Sequence, residues 1–135
     1  MSTSNIEYLG DLRCIATHSQ SGITITSDAP VDNKGKGEAF SPTDLLCTSL
    51  AMCMLTIMGI AAQEKDISME GLRASVTKTM SSHPRRVQTV LIEIQGNFRS
   101  WTQKDWVIMK KAADNCPVKL SIHPDLNIQI EWQQI

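Results

Sequence analysis

Four cysteines, Cys14, Cys47, Cys53 and Cys116, are the residues of this 135-residue chain best suited to covalent chemistry. A cysteine reacts as its thiolate, which a helix N-terminus or a neighbouring cation favours. Cys116 stands in such a setting. Pro117 suits a first helical position, so Cys116 is expected at the cap of a short helix, with backbone N–H groups ahead of it and Lys119 close by. Cys53 lies about three turns inside a long apolar helix, beyond the field of its terminus. On these grounds Cys116 is expected to be the more acidic thiol and Cys53 the more hindered one. Cys47 is offset from Cys53 by roughly 120° around the same helix, so the two do not share a face. Cys47 and Cys14 are read as core residues. No cysteine pair forms a CxxC, which argues against a zinc ribbon, and no metal site is expected.

The other groups with chemical potential are less specific. His18 falls in the polar turn Thr17–Gly22 and reads as solvated. His83 sits with Arg85 and Arg86 at the tip of a predicted hairpin, where charge blunts a sheet edge or contacts an anion. Gly35-Lys36-Gly37 lacks the spacing of a phosphate loop, and no Ser or Thr follows the lysine.

The elements that must position these residues follow from periodicity. Residues 5–17 alternate in part and predict a strand, and Ile23–Thr26 predicts its hairpin partner. Asp28 to Phe40 is a long glycine- and proline-containing loop, of a length that is often functional. Ser41 then supplies a cap, Pro42 a first helical residue and Asp44 a capping-box acid for a helix reaching Lys65. Leu45 to Ala62 carries no charge, and its apolar residues fall all round the helix. Such a helix is buried, in a core or in a membrane. Thr48, Ser49, Thr56 and Gly59 dilute it and its flanks lack a Lys/Arg bias, so a core is favoured over a membrane. Strands follow over Leu72–Thr77 and Val87–Ile94. A helix is predicted over Gln103–Asp114, then the short helix after Cys116, and a last strand over Leu126–Trp132. The order implies an α+β fold, one domain over residues 1–135, with antiparallel sheets wrapped on the central helix. A sheet leaves part of so apolar a helix uncovered, and a homodimer is the simplest cover.

Composition narrows the function. The net charge is −1, with both signs mixed along the chain, so the basic face that nucleic acid requires is missing. Aromatic residues make up only 4%, too few for base-stacking platforms. The start of the chain has neither a basic nor an apolar signal segment, which leads to the expectation of a reducing, cytoplasmic setting without a disulfide framework.

The motifs S-P-T-D-L-L, S-L-A-M-C-M-L-T-I-M-G-I, P-R-R-V and N-C-P-V-K-L-S-I-H-P-D-L, in that order, resemble the OsmC/Ohr family, most closely its small OsmC-like proteins. The resemblance covers nearly the whole chain. It implies an intertwined α+β homodimer with long central helices. It also implies thiol peroxidase activity on organic hydroperoxides: Cys53 would become the sulfenic acid, Cys116 would close the disulfide, and an external dithiol would reduce it, with no metal or organic cofactor. This assignment inverts the acidity ranking of the two thiols. In the family an Arg and a Glu activate the buried cysteine. The position of that Glu is Thr43 here, with Asp44 beside it, and the position of the Arg lies close to Gln20. Asp44 is a candidate replacement for the acid, and Arg13 or Arg85 for the cation. The departure leaves a second reading, in which the dimer binds a small hydrophobic molecule or senses redox state through its thiols.

Overall fold

The computed structural model describes residues 1–135. The chain forms two compact units, Met1–Leu46 and Cys47–Ile135, whose boundary falls within the long helix.

The first unit is a three-stranded antiparallel sheet, β1 (Ser4–Gly10), β2 (Arg13–His18) and β3 (Thr24–Asp28), in that order. The predicted single strand over 5–17 is therefore two strands. Gly10, Asp11 and Leu12 all take positive φ, 85°, 53° and 63°, and reverse the chain. Asp11 and Leu12 rarely adopt this conformation, which is why residue type did not reveal the turn. The second turn matches expectation, and His18 Nδ1 lies 2.6 Å from Ser21 Oγ within it. Opposed residues alternate between faces, so Ile6, Ala16 and Ile25 share one face with Tyr8, Cys14 and Ser27.

The loop after β3 holds one 3-10 turn, Val31–Asn33, and is fastened at both ends. Asp28 N–H donates to Phe40 O at 3.0 Å, and Gly37 N–H donates to Ala29 O at 3.2 Å. Gly35 is obligatory here, because a Cβ would sit 1.7 Å from the Ala29 carbonyl oxygen. The loop delivers Ser41 to the start of α1 (Pro42–Lys65). The expected capping box is present: Asp44 N–H donates to Ser41 Oγ at 3.0 Å, and Ser41 N–H donates to Asp44 Oδ2 at 2.9 Å.

The second unit holds β4 (Arg73–Ser82), β5 (Arg85–Gly96), α2 (Gln103–Asp114), α3 (Pro117–Ser121) and β6 (Asn127–Gln134). Its sheet order is β4-β5-β6. The β4–β5 hairpin is antiparallel, but β6 runs parallel to β5, pairing Val90 with Ile128 and Ile92 with Ile130. The expectation of purely antiparallel sheets is corrected at this strand. Alternation in Leu126–Trp132 marks a strand but carries no information on its direction.

Cys47, Leu50, Ala51, Met54, Met58 and Ala62 of α1 are buried at helical spacing, in one core with Val90, Ile92 and Ile94 of β5 and Met109 and Ala113 of α2. A helix apolar on all sides thus buries a single stripe. Met52, 64% exposed, and Ile60 remain on the outer row. The three tryptophans form one cluster with Phe98. Phe98 lies 4.8 Å from Trp101 and 5.0 Å from Trp106 between ring centroids, and Trp132 closes the group.

Candidate active site

Cys116 occupies the junction of two helices. Asn115 ends α2, its side-chain amide donating to Lys111 O at 2.8 Å. Pro117 starts α3, and Cys116 between them is its extended cap, at φ −69° and ψ 139°. The thiol is the capping group: Lys119 N–H donates to Cys116 Sγ at 3.3 Å. This is the position expected from the sequence, yet Cys116 is 0% exposed. Burial pushes its pKa up, the Lys119 N–H pulls it down, and hydrogen bonding to Cys53 raises it again. Desolvation of the thiolate is the largest of these influences. Lys119 does not offset it by charge, because its ammonium is held 2.9 Å from Asp114 Oδ1. Burial thus opposes the acidity that the cap position leads one to expect of Cys116.

Cys53 projects from α1 against the core that contains Cys116, and it is half-buried. Cys53 acts on the Cys116 thiol and raises its pKa, and neither cysteine is in a disulfide. The structure therefore brings together two residues separated by 63 positions, and gives them unequal access to solvent. Cys47 is buried, in line with its reading as a core residue. Cys14 is only partly covered, in an apolar recess of about 230 Å³ lined by Ile6, Ala16, Ile25, Pro42 and Leu45 of the first unit. Its reading as a core residue is corrected accordingly.

The candidate tuning residues have defined places. Asp44 and Thr43 take part in the start of α1, where Thr43 Oγ1 lies 3.1 Å from Ser41 Oγ. Gln20 is exposed in the β2–β3 turn, and Arg85 is exposed where β5 begins. Arg13 is committed within the first unit. It forms a short ion pair with Glu38 and lies 3.5 Å from Asp28 Oδ2. The Glu38 N–H, 3.0 Å from Asp28 Oδ2, is the main reason the Asp28 carboxyl is held below the ordinary carboxylate range; burial opposes this and Arg13 assists it. This triad is absent from the sequence reading. Its only signal was an acid at the end of a strand and another in the loop that returns to it.

The OsmC-like protein family model matches residues 35–131. No curated protein matches the chain. Among solved structures, a Psychrobacter arcticus protein named for an osmotic-stress-induced and detoxification response is 52% identical. It covers 100% of this chain and 96% of its own, with a TM-score of 0.89. A Legionella pneumophila OsmC, named as an organic hydroperoxide resistance protein, is 16% identical, covers 98% of each chain and has a TM-score of 0.72. A Vibrio cholerae protein named for organic hydroperoxide resistance, with captopril bound in one of its active sites, is 12% identical. It covers 98% of this chain and 92% of its own, at a TM-score of 0.69. These two distant likenesses concern the fold, which has two small sheets and a long apolar helix in an α+β arrangement. On the family match and the 52% identity, the chain belongs to the OsmC-like protein family.

Proposed function

We propose that this protein is a thiol-dependent peroxidase that reduces organic hydroperoxides. The observation that carries the reading is the contact between a partly accessible Cys53 and a sealed Cys116. In the first step the Cys53 thiolate attacks the outer peroxide oxygen. The O–O bond breaks, the alcohol leaves with a proton, and Cys53 becomes a sulfenic acid. The Cys116 sulfur then attacks the Cys53 sulfur, the S–O bond breaks and water leaves, forming the Cys53–Cys116 disulfide. An external dithiol restores both thiols by two exchange steps. Neither a metal nor an organic cofactor enters this scheme. Asp44, Thr43, Gln20 and Arg85 are the candidates to tune Cys53.

The proposal includes a cytoplasmic homodimer acting as a single OsmC-like domain, with a second subunit, not lipid, covering Met52 and Ile60. The exposed apolar row on α1 supports this, as does the apolar face of the first sheet. The apolar recess beside Cys14 favours a second reading, binding of a small hydrophobic molecule, for which native mass spectrometry would find a retained ligand on inert thiols. The test of the main reading is Cys53→Ser. Consumption of cumene hydroperoxide in the presence of a dithiol should fall by about two orders of magnitude or more, the scale on which loss of an activated nucleophile is felt. Turnover equal to the parent's would refute the assignment.

A further inference from the structure

The sulfur that would bond Cys53 is also the sulfur that caps α3. We propose that oxidation of the Cys53–Cys116 pair uncaps α3, so that the redox state of the thiols is transmitted to the segment from Pro117 onward. The inference rests on reading the two cysteines as a redox pair, but not on the identity of the oxidant.

α3 is only five residues long and has no buried residue. Its start is held by Cys116 twice: Leu120 N–H donates to Cys116 O at 3.1 Å, and Lys119 N–H donates to Cys116 Sγ at 3.3 Å. The Val118 N–H also helps to lower the pKa of this thiol. The other ties of α3 are the Ser121 hydroxyl to Pro117 O at 2.7 Å and the Lys119–Asp114 ion pair, both at the surface, and the partial packing of Val118 and Ile122 on the core. Cys116 is thus the only fully buried anchor at this end of the helix.

The disulfide draws Cys116 Sγ toward α1. A covalent S–S separation is far shorter than any non-bonded approach of two sulfurs. The cap bond, already long at 3.3 Å, lengthens further as the sulfur moves away. A disulfide sulfur is no stronger an acceptor than the neutral thiol it replaces, so nothing makes up for the lengthened bond. So short a helix has little cooperativity to retain its first turn without a cap. The same segment forms the wall of an open cavity of about 420 Å³ that includes Lys119, Ile122 and His123, so its loosening is presented at the surface.

The experiment is amide hydrogen exchange on the full chain, reduced and after oxidation by diamide. Two electrons and two protons pass from the thiols to the diazene, leaving the disulfide and a hydrazine. Peptide mapping first establishes the Cys53–Cys116 bond. In the oxidised protein the Lys119 and Val118 amides should exchange roughly tenfold faster, the loss expected from a helix cap, with Met109 and Ala113 of α2 unchanged. Cys53→Ser, treated alike, should keep slow exchange. Unchanged Lys119 exchange in protein with the bond formed overturns the inference alone, as does equal acceleration in Cys53→Ser. Failure of diamide to form the bond overturns the redox pair itself, and the inference with it.

Discussion

The chemistry of Cys116 turns on two opposed effects of its position. A cap position lowers a thiol pKa and burial raises it. Sequence displays the first, through Pro117 and Lys119, and conceals the second. In the folded chain burial is the larger influence, and the Lys119 ammonium is turned to Asp114. Under the proposed function this suits Cys116 to the resolving role: it would stay protonated until a sulfenic acid forms on Cys53. The sign of the pH dependence follows. A thiol whose folded pKa is raised stabilises the fold fully below its unfolded pKa, about 8.5, and loses that contribution as pH rises above it. Reduced protein should thus lose stability as pH rises above about 8.5 more steeply than Cys116→Ser, as followed by urea melts at each pH. Parallel curves would contradict the raised pKa. The juxtaposition of Cys53 and Cys116 was legible only through the resemblance, because nothing local to residue 53 or 116 names the other.

Among the elements, α1 and α2 were the most legible. Ser41, Pro42 and Asp44 write the start of one, and periodicity gave the other over Gln103–Asp114, although its capping box of Thr102 and Asp105 was not read. The hairpin at Gly10–Leu12 and the parallel pairing of β6 were not legible, since the first uses residues atypical of its backbone and the second depends on where the chain returns. The loop from Asp28 to Phe40 is held by side-chain charge. Asp28 has a lowered pKa, so its contribution is present above the unfolded value, about 3.9, and is lost as pH falls through the folded one. Asp28→Asn should lower the melting temperature at pH 7, and its deficit against the parent should shrink progressively on acidification below about pH 4. A deficit constant from pH 7 to pH 2 would show that the charge is not what fastens the loop.

For the whole molecule, the central argument is one of cover. The unbroken apolarity of α1 exceeds what one chain buries, since only the stripe through Leu50, Met54 and Met58 is sealed. A partner on the row of Met52 and Ile60 is the proposed remainder. Sedimentation should give the mass of two chains, and Met52→Glu should shift it toward one; a single-chain mass for the parent would leave α1 uncovered and remove the dimer from the account. The central claim, that Cys53 and Cys116 act together on peroxide, is tested most directly by adding one equivalent of cumene hydroperoxide to the fully reduced protein and mapping its thiols. The account predicts an intramolecular Cys53–Cys116 disulfide, formed faster than with hydrogen peroxide. Both thiols remaining reduced, or a bond formed instead through Cys14 or Cys47, would contradict it.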